Sequence, residues 1–190
     1  KARIKKVSVT GNDKTNDHVI FRELRVKPGD LFSRREIIRS IREIGQLGFF
    51  DQNVTPDVVP NYQDKTTDIN FNVIEKGGSQ IELQGGYGGG SFIGTLGLSF
   101  NNFSIKNIFN KAAYKPLPTG DGQKLALRLQ TSRTFSTYSF SFTEPWYGGK
   151  KPKSLSFSIY QSNQFQINPQ TYDVDKDRKL GITGASIGLG

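Results

Sequence analysis

Residues 79–90 read SQIELQGGYGGG. In the first half, Ile81 and Leu83 alternate with Gln80, Glu82 and Gln84, the period of two that marks a strand with one apolar face. The second half sets five glycines, Gly85 and Gly86 among them, around Tyr87, a composition that suits a phosphate cradle, a linker or a strand end. The G-x-x-x-x-G spacing of a phosphate loop is present from Gly85 to Gly90, but Ser91 and Phe92 follow where Lys and Ser/Thr are required. A strand follows as well, where an anion site needs a helix start whose amides point at the ligand. The glycines therefore belong to the sheet, either as the end of a strand or as a glycine-rich hairpin that serves only as a turn.

Downstream the same period continues. Leu96, Leu98 and Phe100 alternate with Thr95, Gly97 and Ser99, and Leu125, Leu127 and Leu129 alternate with Lys124, Ala126, Arg128 and Gln130. Tyr138, Phe140 and Phe142 alternate with Ser139, Ser141 and Thr143, and Leu155, Phe157 and Ile159 with Ser154, Ser156 and Ser158. A further strand is expected from near Leu180. Two architectures give this alternation: a soluble sandwich with apolar residues inward, and a membrane barrel with apolar residues toward lipid. Periodicity fits both, but other features favour the barrel. The runs are close to the about 9–11 residues that a tilted strand needs to cross a bilayer. Their second faces carry Ser, Thr, Gln and Gly, as a wet lumen requires, and Phe100, Phe103, Trp146 and Tyr147 sit near strand ends, where an interfacial girdle places aromatics. No helical pattern after residue 76 is available to cover the sheet.

Upstream the pattern is mixed. Residues 3–10, RIKKVSVT, form a strand that stops at Gly11-Asn12. Asn16 is placed to cap a short helix carrying Val19, Ile20 and Leu24, and Ser33 with Glu36 forms a capping box at the start of a second. Ile37, Ile38, Ile41 and Ile44 line one face of that helix, with Arg34, Arg35, Arg39 and Arg42 mostly opposite. Gly48-Phe49-Phe50 ends it, and strands over residues 54–59 and 67–74 follow. The order is β-α-α-β-β. The arginine row suits nucleic acid, but a solvated helix face is the plainer expectation.

The 190 residues carry a net charge of +9, no cysteine, no methionine and one histidine, His18. Disulfides, thiolate metal sites and cysteine nucleophiles are thereby excluded, and a lone histidine in a surface helix is expected to be structural or neutral. The lack of methionine leads us to expect a piece of something longer or processed. Residues 1–76 hold four glycines and residues 77–190 hold 17, so the expected domains are 1–76 and 77–190. No run approaches the roughly 18 apolar residues of a membrane-spanning helix. Residues 184–188, GASIG, match a nucleophile elbow, but with the histidine upstream a small-residue strand is expected. Asp173, Asp175 and Asp177 imitate a calcium loop, yet Arg178 stands where glycine is needed, so a solvated loop is expected.

Six stretches in this order are specific together: residues 7–12 (VSVTGN), 41–50 (IREIGQLGFF), 68–76 (DINFNVIEK), 85–90 (GGYGGG), 101–103 (NNF) and 143–147 (TEPWY). On them the chain resembles the BamA family of outer membrane protein assembly factors, from the last POTRA domain into the start of the barrel. The resemblance implies an α+β POTRA domain (β-α-α-β-β) followed by antiparallel transmembrane β-barrel strands, an incomplete barrel. Complete members carry a signal peptide, several POTRA domains and about ten more strands, and the turn at 106–122, with Lys111, Lys115, Pro116 and Pro118, is longer than the family pattern.

The resemblance also implies a location in the outer membrane of a Gram-negative bacterium with the POTRA domain in the periplasm. The implied partners are unfolded outer membrane protein clients, accessory assembly lipoproteins and membrane lipids, with no nucleic acid, no cofactor, no metal and no enzymatic activity. Gln80, Ile81, Glu82, Leu83, Gln84, Gly85, Gly86 and Tyr87 become the first strand of a lateral gate, weakly paired because glycine packs little across a seam. Leu96, Leu98, Phe100, Leu127, Leu129, Phe140, Phe142, Phe157 and Ile159 become lipid-facing, Phe103, Trp146 and Tyr147 interfacial, and Gly11, Gly48, Phe49 and Phe50 structural in the POTRA domain. Client strands are expected at an exposed POTRA edge by augmentation. The competing expectations are a TamA-like or two-partner secretion pore, a phospholipase with a similar barrel, and a soluble basic β-rich binding module.

Overall fold

A computed structural model describes residues 2–114, 117–149, 151–168 and 170–190; Lys115 and Pro116 of the long turn lie outside the described residues. Contacts divide the chain into two compact units. One comprises residues 1–78 together with 101–122, the other residues 79–100 and 123–190.

The first unit has the expected order: β1 (Arg3–Thr10), α1 (Asp17–Phe21), α2 (Arg34–Gln46), β2 (Thr55–Asn61) and β3 (Thr66–Asn72). β3 is central, parallel to β1 and antiparallel to β2. Its inward residues Thr67, Ile69, Phe71 and, just beyond, Val73 are buried, and they meet Val19, Ile20, Ile37, Ile44, Phe49 and Phe50 in one core. Burial at about 25 cal/mol per Å2 of apolar surface is what holds such a small sheet against two helices.

Three expectations for the helices need correction. The buried stripe of α2 is Ile37, Ser40 and Ile44 with Ile41 half-buried, whereas Ile38 is exposed. At 100° per residue Ile38 lies one step off the 37-40-41-44 row. Ser40 is tolerated there because its hydroxyl donates to the Glu36 carbonyl (2.8 Å) and accepts from the Arg25 amide (2.8 Å). Secondly, Ser33 stands at the N-cap of α2 but its side chain makes no capping bond. Glu36 pairs with Arg35 (3.3 Å) and Arg39 (3.8 Å) instead of reaching back. Thirdly, Asn16 also sits at an N-cap without a side-chain capping bond. The arginine face is solvated, and the Arg25 guanidinium is held above its ordinary value by its hydrogen bond to, and charge attraction from, Glu43.

The β2 edge is chemically unusual. Its ladder with β3 is unbroken from Thr55↔Asn72 to Asn61↔Thr66. Such a ladder takes amide donors from alternate residues, and proline has none, so Thr55, Asp57, Val59 and Asn61 donate inward. Pro56, Val58 and Pro60 face the open side, which leaves one N–H there. On the opposite edge, the start of β1 is covered by residues 29–32: Ile4 donates to the Asp30 carbonyl (2.9 Å) and accepts from Gly29 (2.7 Å).

The second unit is a six-stranded antiparallel sheet in sequence order: β4 (Ser79–Gly88), β5 (Ser91–Phe103), β6 (Gln123–Ser132), β7 (Phe135–Glu144), β8 (Leu155–Ile167) and β9 (Val174–Leu189). β9 begins six residues before the expected Leu180. The intervening DKDRK run hides a strand from a hydropathy pattern, and its pairing with the extended β8 (Val174↔Ile167, Asp175↔Gln166) is interrupted by a bulge. Asp175 and Asp177 therefore lie in a strand, not in the solvated loop expected of them. Ser186 of the GASIG stretch is likewise in β9, with its hydroxyl 2.7 Å from that of Ser158.

Candidate functional site

β4 is the edge strand, and among the described residues only β5 pairs with it. Its turn to β5 is Gly89-Gly90, with φ +58° and +77°, the left-handed pair that matches the twist of a two-residue hairpin. Of the glycine cluster, then, two residues make the turn and Gly85, Gly86 and Gly88 lie in the strand. Gly85 has a packing role: a Cβ there would stand 2.8 Å from Cζ of Phe92, so the ring lies across the bare backbone. Gly86 and Gly88 face open space. The upper end of β4 is therefore held by backbone bonds and one aromatic ring.

The register assigns each side chain a face. Ile81 opposes Leu98, Leu83 opposes Leu96 and Tyr87 opposes Phe92, while Gln80, Glu82 and Gln84 oppose Ser99, Gly97 and Thr95. On the second face Glu82 reaches over Gly97 to Arg128 (3.9 Å). A Cβ at residue 97 would stand 3.0 Å from a Glu82 carboxylate oxygen and 3.2 Å from the Glu82 Cβ, so the glycine gives Glu82 room to cross. Further along, Leu127 opposes Phe140, which opposes Ile159, and Phe142 opposes Phe157. Phe140 and Phe157 stack edge to face at 6.5 Å. Leu129 and Phe100 fall in the same apolar rows. This face is open: Ile81, Leu83, Leu96, Leu127, Phe157 and Ile159 are all exposed. Among the described residues of the second unit the buried ones are Thr95, Gly97, Gln123 and Ser136, none with an apolar side chain. A soluble sandwich buries its apolar face; here that face is left uncovered.

The aromatics near strand ends divide. Trp146 and Tyr147 follow β7 in a turn where the Glu144 carboxylate accepts from the Trp146 amide (3.0 Å) and from Gln123 Nε2 (2.8 Å), which accounts for the TEPWY stretch. Tyr147 is exposed. Phe103, expected at the interface, is instead buried within the first unit, where Phe103 pairs with Thr119 and the Ser104 amide donates to the Pro118 carbonyl (2.9 Å). In the same unit Gly11 and Gly48 take φ +91° and +83°, and the rings of Phe49 and Phe50 lie 5.0 Å apart in the core.

A polar cluster centred on Asp121 escapes sequence reasoning. This carboxylate is buried and accepts from Ser104 Oγ (2.7 Å) and Asn16 Nδ2 (2.9 Å), with His18 Nε2 at 3.6 Å. Asn102 donates to the Thr15 hydroxyl (2.8 Å) and accepts from the Gly122 amide (2.9 Å), and Glu75 accepts from the Lys14 and Thr15 amides. Asn16 is thus diverted from capping, and His18 gains a neighbour. The only signal in the sequence is the glycine pair around Asp121, both with positive φ.

Residues 2–76 match the POTRA family (surface antigen variable number repeat), and residues 119–190 match the Omp85 superfamily domain. The chain is thus a POTRA domain over residues 2–76, followed by antiparallel barrel strands that carry an Omp85 superfamily domain over residues 119–190. Its similar relatives include the outer membrane protein assembly factor BamA of Neisseria meningitidis serogroup B, 31% identical over 84% of this chain, and BamA of Neorickettsia risticii, 32% identical over 75%. The chain spans 18% and 17% of those two proteins. A crystal structure of BamA from Haemophilus ducreyi lacking POTRA domains 1–3 superposes with a TM-score of 0.75 at 22% identity, over 99% of this chain and 32% of that one. CdiB from Acinetobacter baumannii gives 0.57 at 16% identity, over 99% and 33%. These two likenesses concern the fold. The chain is part of an outer membrane protein with its POTRA domain in the periplasm, and the two BamA relatives are outer membrane protein assembly factors by name.

Proposed function

We propose that this chain supplies the last POTRA domain and the opening barrel strands of a factor that folds and inserts outer membrane proteins through a seam at β4. The carrying observation is the β4 edge: a ladder of amides and carbonyls, unpaired among the described residues, on a strand whose upper end has almost no side chains. In a closed barrel that edge pairs with the final strand, and the glycine end is the part that opens at least cost. A bare edge in hydrocarbon costs several kcal/mol per unsatisfied group, so a client strand that pairs with β4 relieves it. The driving free energy comes from client folding and burial of its apolar face in lipid, with no catalytic residue, cofactor or metal taking part. The apolar rows of β5 to β8 face lipid. Accessory lipoproteins and unfolded clients meet the POTRA domain, and the proline-spaced β2 edge directs client strand pairing to β4.

A disulfide between a cysteine at Gln84 and one in the last strand of the full-length protein is expected to stop client insertion in vivo, and reduction is expected to restore it. Undiminished insertion with the seam locked refutes the proposal. Depletion separates it from a translocation pore: general loss of outer membrane proteins supports the assembly factor, and loss of a single secreted product supports the pore.

A further inference from the structure

Residues 104–120 carry a surface that neither the fold nor the gate uses. Phe109 is 97% exposed, and Ile105, Ile108 and Tyr114 beside it are exposed as well. They stand on two short 3-10 turns, Ile105–Phe109 and Lys111–Ala113. The base beneath them is built: Ser104 Oγ accepts from the Asn107 amide (3.3 Å), Asn107 Nδ2 donates to the Thr119 carbonyl (2.9 Å), and the Tyr114 hydroxyl donates to the Ile108 carbonyl (2.6 Å). Four apolar side chains exposed side by side on a framed segment are the mark of an interaction surface.

Charge and connectivity indicate what it meets. Between residues 101 and 120 there are three lysines, Lys106, Lys111 and Lys115, and no acidic residue. Aromatic and aliphatic side chains interspersed with lysine are the composition of an interfacial anchor. The segment is also tethered at both ends to membrane strands, since β5 ends at Phe103 and β6 begins at Gln123. We propose that residues 105–114 lie on the periplasmic leaflet of the outer membrane, Phe109 entering the headgroup boundary and the lysines meeting anionic phospholipid. The inference rests on the outer membrane barrel and is independent of the lateral gate.

The test uses the full-length protein with an environment-sensitive fluorophore on a single cysteine at Ala112 (Ala112→Cys), which leaves Phe109 in place. The protein is placed in bilayers of phosphatidylethanolamine and phosphatidylglycerol, with and without a phospholipid carrying a nitroxide just below its headgroup. Leu127→Cys, labelled alike, reports on the barrel face. Quenching at both sites is expected, with quenching at 112 largely lost in Phe109→Glu and in the double variant Lys106→Glu/Lys111→Glu, and reduced when phosphatidylcholine replaces the anionic lipid. Quenching at 127 but not at 112 overturns the proposal and leaves the barrel standing, the surface then facing water or a protein. Quenching at neither site overturns both. Quenching at 112 that is indifferent to Phe109 and to the lysines also overturns it, because the tether alone then explains proximity.

Discussion

Gly11→Ala is expected to destabilise the POTRA unit severely. Gly11 adopts φ +91°, and a Cβ built on it would stand 2.0 Å from the carbonyl oxygen of Val73, a backbone atom. The neighbour cannot rotate away as a side chain does. Val73 is buried and its amide is bonded to the Thr10 carbonyl (2.9 Å), so relief requires the end of β1 to part from the segment after β3. The left-handed backbone alone costs a residue with a Cβ about 1–2 kcal/mol, and the displaced pairing adds to it, for a total of about 3–5 kcal/mol. That is a large share of the about 5–15 kcal/mol that a domain has. Urea unfolding of the full-length protein, followed by proteolysis of the POTRA region, reads the effect. A midpoint within error of the wild type contradicts the account.

Asp121→Ala is expected to free residues 101–122 from the POTRA core. The substitution leaves Ser104 Oγ, fully buried, and Asn16 Nδ2 without the carboxylate they donate to. Hydrogen bonds to a charged group contribute about 1.5–3 kcal/mol each, and a stranded buried donor costs a similar amount, so a loss of about 3 kcal/mol is expected for the cluster. The specific readout is protease cleavage within residues 104–120, resisted by the wild type and rapid in the variant. Asp121→Asn keeps the shape but presents a donor to one of two donors, so it falls between them. Equal resistance in all three proteins shows that the cluster does not hold the segment.

These two positions differ in how far the sequence exposes them. Gly11 stands at the end of a strand that alternates into a Gly-Asn turn, a local pattern, and the whole β-α-α-β-β order is legible in the same way because hydrophobic period is local. The six-stranded sheet was legible for the same reason except at β9, where a charged run conceals extension imposed by the partner strand. The cap expected at Asn16 is lost to a distant partner, a residue 105 positions away, whereas at the Ser33 cap the competition is local, with Arg35 and Arg39 drawing Glu36. Asp121 belongs to that class entirely, since every partner of its carboxylate comes from outside its own turn. The β4 edge was legible as a strand with a glycine end, but its place at the margin of the sheet is a matter of topology, which periodicity does not encode.

The paired prolines of β2 bear on how this domain survives its surroundings. A periplasmic domain beside unfolded, strand-forming polypeptide risks becoming a nucleus for fibril growth, because any exposed sheet margin invites another layer. With Pro56 and Pro60 turned outward, a peptide laid along that margin finds a single donor, at Val58. Such a peptide gains too few bonds to stay, so this margin gives a fibril no template to grow on.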